Sequence, residues 1–92
     1  MHEFTLEEAR DVLAAIRSFA PDELRIPMSL ADLRVVLDAG VEVKSQTDGL
    51  LDFPTTVDGE AAYWCWRAGE DDIAWWHPRS TGFAGRRPVP GH

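Results

Sequence analysis

Apolar residues recur at helical spacing near the start of the chain. A capping box opens this segment, because Thr5 is followed three residues later by Glu8. The apolar positions that follow are Leu6, Ala9, Val12, Leu13, Ile16, Phe19 and Ala20. They lie on one stripe of a helix, which predicts an amphipathic helix. Pro21 ends it, since the residue before a proline avoids the α-helical region.

A second, shorter helix is predicted after a connector that contains two prolines, residues 20–27. Ser29 is the predicted N-cap of this helix, and Met28 and Leu33 are spaced to form a hydrophobic staple across the cap. The residues of the predicted buried face are Leu30, Leu33, Val36 and Leu37. Gly40 supplies the left-handed residue that stops the helix.

Beyond Gly40 the pattern changes to short runs of strand-forming residues separated by polar turns. The predicted strands are residues 41–44, 50–53, 60–67 and 72–77. Asp58-Gly59 is a strong hairpin signal, because a type I′ turn needs positive φ at both central positions. Residues 68–71 form a looser turn, and Pro78 ends the last strand. Consecutive strands joined in this way predict an antiparallel β-meander.

The two-residue turn determines which residues of the second and third strands face each other. The predicted pairs are Val57 with Glu60, Thr55 with Ala62, Pro54 with Tyr63, Phe53 with Trp64, Asp52 with Cys65, and Leu51 with Trp66. Cross-strand partners share a face of the sheet. The apolar face therefore carries Leu51, Phe53, Trp64 and Trp66, and we expect both helices to cover it. The opposite, mostly polar face carries Asp52, Tyr63, Cys65 and Arg67.

The register of the fourth strand is less determined, because the turn before it is looser. The preferred register pairs Arg67 with Asp72, which places Trp75 on the apolar face and Trp76 on the polar face beside Tyr63. A slip of one residue exchanges the two tryptophans. In either register one tryptophan lies away from the helices, where an exposed aromatic patch would mark an interaction surface. For the aromatic cluster as a whole we favour core packing, and the exposed aromatic platform is the alternative.

Length and composition exclude several classes of function. The chain has 92 residues, the size of one domain, and a net charge of −7. That charge argues against nucleic acid and against an anionic membrane surface as partners. One cysteine excludes a disulfide within the chain, and no apolar run is long enough to span a bilayer. The N-terminus has no signal-peptide apolar region, so we expect a single cytoplasmic domain.

Charge is distributed unevenly along the chain. Residues 1–78 contain all sixteen acidic residues, whereas residues 79–92 contain Arg79, Arg86 and Arg87 and no acidic residue. We interpret residues 79–92 as a basic tail that folds back onto the acidic body and is neutralised there. The alternative is an anion site or a partner contact, since the glycines and arginines of residues 81–87 could form an anion-binding nest.

Metal binding is one chemistry that the polar residues could support. The candidate ligands are Asp52, Cys65, Glu70, His77, His2 and His92. They lack the close spacings typical of zinc sites, such as CxxC or HExxH. Cys65 and His77 would share a sheet face only if the fourth strand slips from its preferred register. We therefore predict no metal and no cofactor.

Nucleophilic catalysis is the second candidate chemistry, with Cys65 as nucleophile and His77 as base. A reactive thiolate needs a nearby positive group, which Arg67 could supply from the same face. Asp52, directly opposite Cys65, would disfavour the thiolate. We therefore predict an unreactive thiol and no catalytic residue.

Several segments of the chain, taken in order, resemble one bacterial family. They are FTLEEA at residues 4–9, GVEVK at 40–44, GLLDFP at 49–54, CWRAGE at 65–70, Trp76-His77, and GFAGRRP at 82–88. Together they are similar to the family called domain of unknown function 2203. Its members usually carry a longer helical hairpin where this chain has residues 10–39, and they have no established activity. The resemblance implies a bacterial source and places the family's motif residues at Asp52, Cys65, Trp66, Arg67, Glu70, Trp76, His77 and Arg86.

The predicted fold is α+β, with two helices packed on one face of a four-stranded antiparallel β-meander. It comprises a helical half at 5–39, the meander at 40–78 and the basic tail at 79–92. The predicted function is a non-enzymatic binding module that forms a homodimer through the polar sheet face, with a protein or small anion as candidate partner at the C-terminal arginines. The alternative is a ligand-binding, metal-binding or enzymatic site around Asp52, Cys65, Arg67, Glu70 and His77. The candidate binding residues are Asp52, Tyr63, Cys65, Arg67, Glu70, Trp76, His77 and Arg86.

Overall fold

The computed structural model describes residues 2–19 and 30–89. Its elements are the helices Leu6–Phe19 (α1) and Leu30–Asp38 (α2) and the strands Glu42–Ser45 (β1), Leu50–Val57 (β2), Glu60–Arg67 (β3), Trp75–Pro78 (β4) and Arg87–Pro88 (β5). The strands form one antiparallel sheet in the order β1-β2-β3-β4-β5. The α+β class is confirmed. The predicted four-stranded meander is corrected to five strands within the described residues, because part of the basic tail pairs with β4.

Helix α1 begins at the predicted capping box. The backbone N–H of Thr5 donates to Glu8 Oε1 at 2.9 Å, and the N–H of Glu8 donates to Thr5 Oγ1 at 3.0 Å. Ala9, Leu13 and Ile16 are buried, which confirms the predicted apolar stripe at these positions. The predicted helix end at residues 20–21, the connector and the N-cap at residues 28–29 lie outside the described residues. No described helix is long and apolar enough to cross a membrane.

Helix α2 buries a narrower face than the sequence predicts. Val36 is fully buried and Leu33 is half-buried, but Leu37 is 50% exposed. The prediction of a buried Leu37 is therefore wrong. Successive helical residues point about 100° apart, so a short helix whose contact is centred on Val36 turns Leu37 towards the side. Gly40 follows the helix with φ of +94°, as its predicted role requires.

The hairpin between β2 and β3 has the predicted geometry. Asp58 and Gly59 both have positive φ, 51° and 81°. The two strands pair from Leu50 with Arg67 to Val57 with Glu60, so the predicted register is confirmed along its whole length. A two-residue turn of this type leaves no freedom in the pairing that follows it.

The apolar face of the sheet forms the larger core. Leu51, Phe53 and Trp66 are completely buried there. They pack in one cluster with Phe4, Ala9, Leu13, Ile16, Val36, Val41 and Ile73. Both helices therefore contribute to the core on this side of the sheet.

The preferred register of β4 is wrong by one residue. Tyr63 pairs with His77, Trp64 with Trp76, and Cys65 with Trp75. Trp76 lies on the helix side, in a small apolar cluster with Ala62 and Val89. Trp75 lies on the opposite face, as the slipped alternative allows, and His77 lies there with it.

Contacts from α1 account for the longer turn that shifts β4. Ile73 is fully buried in the core, which lengthens the path from Arg67 to the next paired residue. Arg10 of α1 donates from Nη2 to the carbonyl oxygen of Ile73 at 2.8 Å, and its Nε lies 3.3 Å from Asp72 Oδ2. These contacts hold residues 72–73 against the helix, so β4 begins only at Trp75.

Candidate functional site

The observed register of β4 brings together three side chains on the face away from the helices. Asp52 comes from β2, Cys65 from β3 and His77 from β4. One potential ligand atom from each lies within 4.8 Å of the other two. Asp52 is 2% exposed, Cys65 is fully buried and His77 is 2% exposed. A carboxyl, a thiol and an imidazole thus meet in a region without solvent access.

The hydrogen bonds of His77 define its protonation pattern. Nδ1 lies 2.8 Å from the carbonyl oxygen of Pro78. A carbonyl oxygen can only accept, so Nδ1 carries a hydrogen. Nε2 lies 3.1 Å from Asp52 Oδ2, a distance that requires one shared proton between the imidazole and the carboxyl. The ring is therefore fixed with Nε2 directed towards Asp52. The group of Asp52, Cys65 and His77 is called the cluster below.

Asp52 is buried with incomplete hydrogen bonding. Its Oδ1 atom has no conventional hydrogen-bond partner among the described residues. The Cys65 thiol is a neighbour, but S–H is a weak donor that replaces a normal partner poorly. Burial raises the pKa of Asp52, against the opposing attraction of His77. A buried, under-bonded carboxyl oxygen costs stability unless another group satisfies it.

Cys65 is held as a protonated thiol. Burial and the adjacent Asp52 charge raise its pKa to about 12, while Arg86 acts in the opposite direction. Both nitrogens of His77 are engaged, one by Pro78 and one by Asp52, so neither is placed to take a proton from the thiol. The geometry therefore gives no support to a Cys65–His77 catalytic pair.

The C-terminal segment, residues 79–89, contacts the backbone of Cys65 through Arg86. The guanidinium donates to both carboxylate oxygens of Glu70 at 2.8 Å and to the carbonyl oxygen of Cys65 at 3.3 Å. Its Cζ lies over the ring of Trp75 at 5.2 Å and over the ring of Phe83 at 4.5 Å from the centroids. The interpretation of a tail that folds back and is neutralised is confirmed for Arg86.

Tyr63 lies at the rim of the cluster. Its ring centroid is 5.4 Å from that of His77, and its hydroxyl donates to the Glu42 carboxylate at 3.0 Å. Lys44 Nζ and Arg79 Cζ lie 4.6 and 5.0 Å from the ring. Burial and the Glu42 charge raise the pKa of the tyrosine. Tyr63 is therefore a neutral support for His77.

The remaining predicted site residues lie outside the cluster. Arg67 is exposed beside a shallow groove of about 170 Å³ that is also lined by Asp48, Leu50 and Phe83. Trp76 lies on the opposite face, so its assignment to the polar face is a correction. The sequence left Trp75 open as the alternative tryptophan on the polar face. It gave no sign of the contact between His77 and the Pro78 carbonyl, because a backbone carbonyl leaves no side-chain motif.

The aromatic surface expected to support a homodimer is smaller than predicted. Tyr63 is buried, and Trp75 is half-buried with the Arg86 guanidinium over its ring. The homodimer stays a prediction, as does a partner at the C-terminal arginines.

Comparison with protein families gives one match. The family model described as "Uncharacterized conserved protein (DUF2203)" matches residues 25–89. This span contains Asp52, Cys65 and His77, and the C-terminal segment up to Val89. The searches of curated proteins and of solved structures gave no match.

Proposed function

This chain belongs to the DUF2203 family of uncharacterized conserved proteins, and we propose that it functions as a small metal-binding module. In this proposal Asp52, Cys65 and His77 bind one divalent transition-metal ion. The observation that carries the proposal is the convergence of these three ligand types within 4.8 Å in a buried position. Thiolate, imidazole and carboxylate are the ligands that Zn²⁺ takes in proteins.

The surroundings of His77 support this function. A histidine that binds a metal almost always donates its second ring N–H to a carbonyl or a carboxylate, which fixes the ring and its tautomer. The Nδ1–H bond to the Pro78 carbonyl has this form. Nε2 is then the coordinating atom, and the metal replaces the proton that it shares with Asp52.

Charge balance supports it as well. A divalent cation bound by the thiolate of Cys65, the carboxylate of Asp52 and a neutral His77 forms a neutral unit. Neutrality matters because an uncompensated charge is costly in a buried site. Coordination through Asp52 Oδ1 would also give this atom the partner that it lacks among the described residues.

The ligand set favours a particular class of ion. A mixed sulfur, nitrogen and oxygen set suits Zn²⁺ and its neighbours in the first transition row rather than Mg²⁺ or Ca²⁺, which take oxygen ligands. Three protein ligands leave one position of a tetrahedral ion for water or another small ligand.

Cobalt substitution tests the proposal directly. Cys65 is the single cysteine of the chain, so a sulfur-to-cobalt charge-transfer band can arise only from this residue. Protein purified without a histidine tag is expected to bind one Co²⁺ with such a band and to lose the band when Zn²⁺ is added.

Matched variants complete the test. Cys65→Ser is expected to abolish the band, whereas His2→Asn removes an exposed histidine outside the cluster and should leave it unchanged. Wild-type protein that shows no band and retains no Zn²⁺ in native mass spectrometry would contradict the proposed function. The buried cluster would then be a structural hydrogen-bonded group.

A further inference from the structure

We propose that the groove beside Arg67 binds a free α-amino acid with an apolar side chain. The proposal concerns residues that lie outside the cluster, and it does not depend on the proposed function. The groove measures about 170 Å³ and is lined by Asp48, Leu50, Arg67 and Phe83. A second opening of about 120 Å³ shares Asp48 and Arg67 with the groove.

The two sides of the groove are tied together by backbone hydrogen bonds. The turn between β1 and β2 carries Asp48, and the end of β3 carries Arg67. The N–H of Ala68 donates to the carbonyl oxygen of Gly49 at 3.0 Å, which joins the turn to the end of β3. Glu70 binds the backbone of Arg67 twice, because its N–H donates to the Arg67 carbonyl oxygen at 3.0 Å and its carboxylate accepts the Arg67 N–H at 2.7 Å. The groove therefore has the fixed shape that small-molecule sites usually have.

The side chain of Arg67 supplies an anion-binding group. It is exposed, and the hydrogen bonds of Arg67 within the described residues involve its backbone. Its guanidinium is therefore open to a ligand carboxylate, which it can bind through two parallel hydrogen bonds.

Asp48 supplies the opposite charge. Ser45 Oγ donates to Asp48 Oδ2 at 3.2 Å, which orients the carboxylate and leaves Oδ1 for another donor. The ion pairs of the described residues do not join Asp48 to Arg67, although both line the groove. Two opposite charges that flank one groove and stay apart complement a ligand that carries both signs. An ammonium group beside Asp48 and a carboxylate beside Arg67 match both charges, whereas a simple anion or cation leaves one of them unmatched.

The rest of the lining indicates an apolar part of the ligand. Leu50 is the cross-strand partner of Arg67, so its side chain lies on the same face of the sheet, beside the stem of the arginine. Phe83 is 40% exposed at the groove, and Arg86 Cζ lies 4.5 Å from its ring centroid. An apolar side chain of the ligand gains free energy by covering the exposed surface of both residues. Sites for drug-sized ligands measure roughly 300–1,000 Å³, so this groove takes a smaller molecule, the size of one amino acid.

Titration of ¹⁵N-labelled protein with L-leucine, followed by NMR, tests the proposal. Leucine is expected to shift the backbone amide signals of Asp48 and Ala68 in a saturable way, with a dissociation constant of about 1 mM or lower, which a ligand of this size can reach. Two analogues remove one charge each, because leucinamide lacks the carboxylate and 4-methylpentanoate lacks the ammonium group. Each analogue should bind about 10-fold more weakly than leucine, since it leaves one charged side chain without its partner.

Matched variants assign each charge of the ligand to its residue. Arg67→Gln should bind leucine about 10-fold more weakly than wild type and should no longer distinguish leucine from leucinamide. Asp48→Asn should lose the distinction between leucine and 4-methylpentanoate. Arg34→Gln and Asp38→Asn remove the same charges from exposed positions on α2, outside the groove, and should match wild type.

Four results would overturn the proposal. The first three are wild-type shifts that do not saturate, equal binding of leucine and leucinamide, and equal or tighter binding of 4-methylpentanoate, which would make the groove an anion site. The fourth is an equal loss of binding in Arg67→Gln and Arg34→Gln, which would show that net charge rather than the groove controls binding. Circular dichroism checks the folding of the variants, and if Arg67→Gln does not fold, the three ligands compared on wild-type protein decide. None of these results bears on metal binding, which the cobalt band tests separately.

Discussion

The two faces of the sheet are built by alternate residues of the same strands and are buried for different reasons. On the helix side, Leu51, Phe53 and Trp66 are completely buried, and burial of their apolar surface stabilises the fold. On the opposite side Asp52, Cys65 and His77 are buried equally deeply, although desolvating polar groups costs free energy. Burial alone therefore does not distinguish core from site. The face whose burial opposes folding is the one expected to have a function.

Removing an apolar side chain should have the largest effect on stability. Trp66→Ala is expected to destabilise the protein by about 3–5 kcal/mol, because it leaves a large cavity in the main core. A domain of this size has little more stability than that in total. Urea unfolding followed by circular dichroism measures the loss. Trp75→Ala, on the polar face and half-buried, should cost clearly less, and equal losses would contradict the distinction between the faces.

The apolar face could be predicted from the sequence because local signals determine it. Asp58-Gly59 fixes the turn, the turn fixes the β2–β3 register, and the register assigns every side chain of these strands to a face. The capping box at Thr5 and Glu8 similarly locates the start of α1. In each case the interacting residues are close in the chain.

The preferred register of β4 did not bring His77 to Asp52 and Cys65, because the pairing of this strand depends on a contact distant in sequence. The register of β4 follows the docking of Ile73 and its bond with Arg10, 63 positions away in the chain. A slip of one residue decides whether His77 faces Asp52 or the helices. The ligands also come singly from three strands, so no spacing motif records them. The alternative predicted site grouped all three with Arg67 and Glu70, but the direct contact of these three side chains, without Arg67 and Glu70, required the structure.

On the polar face, one substitution should abolish metal binding while changing the stability of the metal-free protein only slightly. Zn²⁺ at a hundred times its dissociation constant is expected to stabilise the wild-type protein by about 3 kcal/mol. Asp52→Asn should lose this gain, because it removes a ligand charge. The asparagine amide can still donate to His77 Nε2, so the metal-free variant should remain within about 1 kcal/mol of wild type. Thermal melts with and without Zn²⁺ measure both quantities.

Asp52→Asn can also contradict the distinction between the two faces of the sheet. If metal-free Asp52→Asn loses as much stability as Trp66→Ala, the polar face is an ordinary part of the core. If it keeps the full gain from Zn²⁺, the ion binds elsewhere.

Alkaline pH should lower the free energy of unfolding through Cys65, a residue of the polar face. The pKa of Cys65 is about 12 in the folded protein and 9.0 for an ordinary thiol. Between these values the unfolded chain releases a proton that the folded protein keeps, so stability falls as the pH rises. The loss from this residue should reach about 1 kcal/mol by pH 10. Urea midpoints from pH 8 to 10 measure it, and Cys65→Ala should show a shallower decline; parallel slopes would show that the thiol ionises normally.

The smallest expected effect concerns the rim of the polar face. Tyr63→Phe removes the hydroxyl that donates to Glu42 and keeps the ring beside His77. A hydrogen bond at a partly exposed position contributes about 0.5–1 kcal/mol, so the urea midpoint should shift only slightly. Metal affinity should not change, because the ring that supports His77 is retained and the hydroxyl lies outside the cluster. A large loss of Co²⁺ binding in Tyr63→Phe would instead place the hydroxyl within the functional site, and the boundary between rim and centre would have to move outward to Glu42.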